Sequence, residues 1–295
     1  MGSFWGHVDE ASFFLVLAYW WMFKIFSRYL ESVRQGRQYE AQGASFPTKI
    51  CRRVVPLESI LKMSFCIFGA TVEFLDGFVS LDKDNNFKGL AKVQHVSIYT
   101  LFILHSIVDI LTYYDRFKSL PKNLGVATLS LAVFWYGVSF FFHANMKGKL
   151  PLEYIIHLLP VFNLIALSIS LVLEMYVKAS FILSCARIHF LMILGTWFIH
   201  TPFVLYDVHS KFPASDDNKY WARDDHRNVD FMIAMYGYHL ALNFTIMLIT
   251  YLLMDCWFKR RSNRNNRNKS DMQTLLNTSE NGTVYEPLNN IDEDL

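Results

Sequence analysis

An all-α bundle of seven transmembrane helices, with the N-terminus outside or lumenal and the C-terminus cytosolic, is the fold class this sequence predicts. Three observations predict it. Only 18% of the 295 residues are charged, while 53% are hydrophobic and 16% aromatic; an ordinary soluble domain carries about a quarter charged residues. The charge is also segregated, collecting between long apolar runs and in the last stretch of the chain. And seven of those runs reach the roughly 20 mostly apolar residues that a helix needs to cross about 30 Å of hydrocarbon.

The runs lie at 12–30, 56–76, 90–112, 124–143, 152–175, 180–206 and 229–257. The first follows Gly6, His7, Asp9 and Glu10 with no basic segment before it, so a cleavable signal peptide is not expected. The second is interrupted by Glu58, Lys62 and Glu73; Glu58 and Lys62 stand one turn apart and can pair on one face. The third begins at His95 and carries His105 and Asp109. The fourth ends in an aromatic run and His143. The fifth carries His157 and Glu174, the sixth His200, and the seventh His239 and Asn243.

Orientation follows from the basic residues beside the runs. Arg34, Arg37, Lys49, Arg52 and Arg53 mark the first connection as cytosolic, Arg116, Lys118 and Lys122 the third, and Lys259, Arg260, Arg261, Arg264, Arg267 and Lys269 the tail. Lys147 and Lys149 in the fourth connection are a small exception. The expected division is a transmembrane domain over 1–257 and a disordered cytosolic tail over 258–295, rich in Asn, Ser and charge. The four cysteines, Cys51, Cys66, Cys185 and Cys256, all fall within or on the cytosolic side of the runs, so no disulfide framework is expected.

Two patterns in the tail have the form of sorting signals. Asp271 with Leu275 and Leu276 has the acidic dileucine form, and Tyr285 with Leu288 has the tyrosine-x-x-bulky form. Clathrin adaptors read both as extended peptides whose apolar side chains fill pockets. Together they predict a membrane protein of the Golgi, endosome or lysosome. The basic run at 259–269 directly follows a membrane helix, which fits anionic lipid rather than nucleic acid.

Ionisable groups at membrane depth are costly unless paired or hydrated, so each needs a reason. Glu73, His95, His143, His157 and His239 share the outer half on this topology, with His200 and Tyr99 near them. Imidazoles plus a carboxylate make a ligand set for zinc or another transition metal, and two facing imidazoles a set for haem. The structural alternative is that each histidine staples two helices by hydrogen bonds. Glu58, Asp109 and Glu174 form an inner polar set, with Lys178 and Arg187 as candidate partners of Glu174. It reads as ion pairs or, alternatively, as a proton relay.

Several stretches in order resemble the transmembrane protein 45 family, seven-helix membrane proteins of largely unknown function. They are the opening Met1-Gly2-Ser3-Phe4-Trp5-Gly6-His7; Glu58 and Glu73; His95 with Tyr99 and Asp109-Ile110-Leu111; His143; His157-Leu158-Leu159; Leu173-Glu174; Gly195-Thr196-Trp197-Phe198; Phe203-Val204-Leu205-Tyr206; and Trp221, Asp225-His226, Asn228 and His239. Asn145 and Met146 stand near where that family often has a second histidine, and His200 falls where it would have a glutamine. The resemblance covers residues 1–257 and implies the same helix count and shared polar positions, with no established catalytic activity.

Two classes of function follow. The first is a trafficking or partner-binding membrane protein that uses the bilayer, the adaptors and, as an open option, a second copy of itself as partners. The alternative is a metal-dependent intramembrane enzyme, such as a lipid hydrolase, or a haem- or metal-binding transporter using the histidine cluster. The third run ends without an Asp-Arg-Tyr-like triplet and the seventh contains no Asn-Pro-x-x-Tyr, which argues against a G-protein-coupled receptor.

Overall fold

A computed structural model describes residues 4–41, 43–50, 52–79, 89–114, 119–146, 148–207 and 220–281, and excludes the side chains of 78, 79, 90, 91, 265–269, 271 and 274–281. The chain divides into two compact units, residues 1–248 and 249–295. The described residues form seven helices in chain order: α1 (Phe4–Arg34), α2 (Leu57–Val79), α3 (Leu90–Tyr113), α4 (Leu124–Ala144), α5 (Pro151–Tyr176), α6 (Phe181–Leu205) and α7 (His226–Asn281). A short antiparallel ribbon, β1 (Thr48–Ile50) and β2 (Arg53–Val55), lies between α1 and α2.

Among the described residues five helices are long and apolar enough to cross a membrane: Lys92–Tyr113 within α3, then α4, α5, α6, and His226–Arg264 within α7. α1 and α2 fall short because charge enters them, as Asp9, Glu10, Lys24 and Arg28 in α1 and as Glu58, Lys62, Glu73 and Asp76 in α2. The surface is apolar in the manner of a membrane protein. Val16, Phe68 and Ile182 are 71%, 69% and 79% exposed, and they belong to far more apolar surface than a soluble monomer tolerates. The chain is thus a helical, multi-pass integral membrane protein. The last helix runs to Asn281, beyond the expected end near 257, and within unit 2 it carries a Lys259–Asp255 pair at 2.6 Å.

Helix α1 packs along α6, α6 on α5, α5 on α4, α4 on α3 and α3 on α2. Glycines permit two of these approaches: a Cβ on Gly195 would come 2.6 Å from Leu15 of α1, and one on Gly69 2.6 Å from the Tyr99 ring of α3. Serines staple α4 to α5, where Ser130 and Ser168 exchange hydroxyl–carbonyl bonds of 3.1 and 3.0 Å. Pro160 interrupts α5 without leaving its backbone unpaired. Proline cannot donate to the carbonyl four residues earlier, and that carbonyl, of Ile156, accepts instead from Trp197 Nε1 at 3.0 Å. By contrast, α1 and α2 do not pack backbone to backbone along their length. They meet through side chains, with Phe13 stacked on Phe65 at 4.2 Å.

Candidate functional site

The bundle holds polar clusters near both ends and a cavity between them. At the end where α1 starts, Glu73 pairs with Lys92 Nζ at 2.9 Å and His95 Nδ1 at 3.2 Å, and Lys92 also reaches Asp76 at 2.8 Å. From His95 a row of imidazoles crosses the bundle. The His95 and His143 rings are 5.8 Å apart, His143 and His157 5.2 Å, and His157 and His7 6.1 Å. Three helix ends place them, since α3 begins, α4 ends and α5 begins at this level. His157 Nδ1 donates to the Glu153 carbonyl at 2.6 Å, which leaves its Nε2 as the lone-pair nitrogen. His143 Nδ1 is buried without a hydrogen-bond partner. Beside the row, burial pushes the Lys149 ammonium, in the loop before α5, down to about 8.

Four of the five residues expected as metal ligands, Glu73, His95, His143 and His157, therefore come together in one row. They do not converge: among the described residues no group of three His, Cys, Asp or Glu is placed to hold one metal ion. His239, the fifth, belongs to the α6–α7 seam. There His200 Nδ1 and His239 Nε2 are 3.1 Å apart, His239 Nδ1 is 3.0 Å from Thr196 Oγ1, and Asn243 Nδ2 donates to the same hydroxyl at 2.8 Å. One direction satisfies the chain: His200 donates to His239, His239 to Thr196, and Thr196 to the Ile193 carbonyl at 3.3 Å.

At the opposite end the inner residues divide into two clusters. Glu58 accepts from Trp20 Nε1 (3.0 Å), Trp21 Nε1 (2.8 Å) and the Phe46 amide (2.9 Å), and pairs with Lys62 Nζ (3.2 Å). Lys62 continues to His105 at 3.1 Å and Asp109 at 3.5 Å, and Asp109 accepts from Ser59 at 3.0 Å. Glu174 stands apart, paired with Arg187 at 2.8 Å and with Ser184, which accepts from Tyr39 at 2.9 Å. Lys178 instead contributes its backbone carbonyl to the Ala41 amide at 2.7 Å. Trp21 joins the clusters: its indole N–H serves Glu58 while its face carries the Arg187 guanidinium at 4.6 Å. Outside the helices, burial raises the Tyr39 phenol above its ordinary range.

Between the ends lies a cavity of about 70 Å³ walled by α1 to α6. Its body is apolar, with Phe13, Leu17, Val133 and Leu167 among the wall residues. Glu10, His95, Tyr99 and Tyr136 close one end and Lys62 and Trp21 the other. A second cavity, of about 200 Å³, shares Phe13, Leu17 and Lys62 with it and opens between α1 and α2 beside Val16 and Leu61. Together they come close to the lower end, about 300 Å³, of ordinary ligand pockets, and they have the usual composition of apolar walls with a few polar groups. Sequence reasoning missed Glu10, which it read only as part of the polar start. The signal was there: Glu10, Phe13, Phe14, Leu17 and Trp21 repeat at the spacing of one helix face.

The sorting-signal residues cannot be placed in this geometry: the side chains of Asp271, Leu275 and Leu276 and all of Tyr285 and Leu288 lie outside the described residues. Cys66, Cys185 and Cys256 are free thiols.

The fold defines a class, a multi-pass helical membrane protein with an internal cavity, and the relatives that the chain resembles are named as transmembrane proteins. Residues 124–252 match a family of unknown function (DUF716). The chain is 23% identical over 196 residues to the mouse transmembrane epididymal protein 1A, covering 66% of this chain and 60% of the relative. It is 20% identical over 166 residues to the human transmembrane epididymal protein 1, covering 56% and 57%. The matched stretch thus spans about three fifths of these relatives' length. The family match takes in His143, His157, His200 and His239; Glu10, Lys62 and His95 precede it.

Proposed function

We propose that this protein is a non-enzymatic, ligand-binding membrane protein of the Golgi–endosome–lysosome route. The observation that carries the reading is the cavity lined by six helices, mainly apolar, with its ionisable groups Glu10 and His95 toward one end and Lys62 toward the other. Most polar side chains beside it are already paired with one another, as structural staples are, whereas the cavity offers room for something else. All seven helices span the membrane in this reading, with the N-terminus lumenal, as the basic connections indicate. The tail residues Asp271, Leu275, Leu276, Tyr285 and Leu288 recruit adaptors for sorting. The ordered resemblance to the transmembrane protein 45 family supports the same helix count.

The test is native mass spectrometry of the detergent-purified protein beside Leu17→Trp, which fills the slot. A small bound species on the wild type, lost in the variant, is the expected result. Identical bare masses for the two would sink the reading.

One observation favours a second reading, the metal-dependent enzyme: Glu73, His95, His143 and His157 lie in a single row. Elemental analysis of the wild type beside His143→Ala/His157→Ala decides it. Near-stoichiometric zinc, copper or iron in the wild type alone selects the enzyme, and equal trace metal in both removes it.

A further inference from the structure

We infer that the cavity takes a single-chain amphiphile with a protonated amine head: the amine sits against Glu10 and the hydrocarbon chain runs along α1 into the α1–α2 crevice. The inference rests on the ligand-binding reading above and names the ligand class.

The head is set by the charges at the cavity's closed end. Glu73 is neutralised by Lys92 and His95. Glu10 has no such counterpart: among the described residues its partner is the Tyr136 hydroxyl at 3.3 Å, with no Lys, Arg or His within salt-bridge distance. A carboxyl group at this depth is costly to ionise without a cation. A cation delivered by the ligand supplies one, and the Tyr136 hydroxyl, 3.3 Å from Glu10 at the same end, can accept a further hydrogen from it. An anionic head meets the opposite situation, since Glu10 offers it no positive partner, Lys62 and Lys92 are already paired with carboxylates, and Lys149, whose Nζ has no partner among the described residues, does not line the cavity.

The body is set by the walls. From Glu10 to Trp21 the lining follows α1 for eleven residues, about 16 Å at the rise of an α-helix. Phe13, Phe14 and Leu17 of α1 face Leu164, Leu167 and Leu171 of α5 across it. The lining over that length is one continuous, mainly apolar wall around a narrow space of about 70 Å³, so a single chain, the body of smallest cross-section, enters with the least displacement of the walls. The adjoining space of about 200 Å³ receives the rest of the chain, and its rim residues Val16 and Leu61 are 71% and 57% exposed. That rim faces hydrocarbon in a membrane, so a tail longer than the slot ends in lipid without penalty. The second cavity also holds the Thr48 hydroxyl, buried without a partner.

The experiment uses the full chain in lipid nanodiscs with a photoactivatable long-chain amine, competed by dodecylamine, dodecanol or dodecanoate. Labelled residues are mapped by mass spectrometry. Labels on cavity residues such as Leu17 or Val133, competed at least tenfold better by dodecylamine than by the alcohol or the acid, are expected. Glu10→Gln keeps the side-chain shape and should abolish that preference; Glu10→Asp, which keeps the charge, should retain part of it and serves if the first variant folds poorly. Cavity labelling with equal competition by all three compounds, unchanged in Glu10→Gln, overturns the amine assignment while leaving the ligand-binding reading in place. Labels confined to outward residues such as Phe68 and Ile182, and insensitive to Leu17→Trp, overturn both.

Discussion

Glu58 offers the sharpest test of the packing argument. It sits in the first turn of α2, where the helix dipole favours a carboxylate, and it is only 6% exposed. Glu58→Ala removes the acceptor from four partners at once: two indoles, the Phe46 amide and Lys62. Hydrogen bonds inside membrane proteins average only about 0.6 kcal/mol and reach about 1.7, so four of them bracket a loss of roughly 2–7 kcal/mol. Removing one partner of a buried ion pair costs about 3–5 kcal/mol, although here Asp109 still holds Lys62. The two ranges overlap at about 3–5 kcal/mol, and that is the expected destabilisation. Glu58→Gln keeps one acceptor oxygen but turns an amide N–H₂ toward the donors, so it should lose about half as much. Reversible unfolding in detergent, followed by tryptophan fluorescence and circular dichroism, measures both. A loss under about 1 kcal/mol for Glu58→Ala would place the residue with exposed surface pairs and refute the claim that it ties α1, α2 and the intervening loop together.

Further expectations concern separate parts of the fold. Trp197→Phe strands the Ile156 carbonyl that Pro160 leaves open, and should cost about 1–3 kcal/mol in the same unfolding assay. Gly195→Ala drives a methyl into Leu15 and should cost about 1–3 kcal/mol by overpacking; an unchanged melting temperature would mean that α1 shifts freely on α6. Lys149 has its pKa lowered to about 8 by burial, so the folded state holds its proton less tightly than the unfolded chain does. Its contribution to stability therefore rises with pH from about 8 toward the ordinary lysine value, about 10.4. Lys149→Met should accordingly raise the melting temperature at pH 7, by a margin that shrinks as the pH approaches 10. Leu275→Ala/Leu276→Ala/Tyr285→Ala should move the protein to the cell surface; unchanged location by microscopy would remove the sorting signals from the account.

The helices were legible in the sequence to within a few residues where hydropathy marks them, as at 124–143 for α4 and 152–175 for α5. They were less legible where a helix continues past its apolar part. α1 begins at Phe4 and ends at Arg34, and α7 reaches Asn281, because hydropathy reports affinity for hydrocarbon whereas polar residues sustain helical hydrogen bonds equally well. The grouping of Glu73, His95, His143 and His157 in the sequence meets the structure in one row, because position along each helix is read from the helix ends. Azimuth is not. Depth alone groups His239 with them, yet it faces α6 and pairs with His200, a neighbour that only the packing of α7 selects. In the same way Glu58, Asp109 and Glu174 share a depth, but Lys62 links the first two while Arg187 takes the third.

The placement of satisfied and unsatisfied groups gives the bundle its functional direction. At the end that holds Glu58 and Glu174 each carboxylate has found several donors, and Trp21 locks the two clusters together, so this end acts as a rigid base for α1, α2 and α6. At the other end the donors and acceptors are distributed unevenly. Among the described residues Glu73 has Lys92 and His95, Glu10 has a single phenol, and His143 Nδ1 has no partner. α1 is the element that connects the two regimes. It is held along α6 over its length and clamped at Trp20 and Trp21, yet it leaves α2 apart across the crevice. A ligand in the slot would therefore be gripped by a wall that is fixed on one side and open to lipid on the other, which allows entry without unfolding either polar cluster.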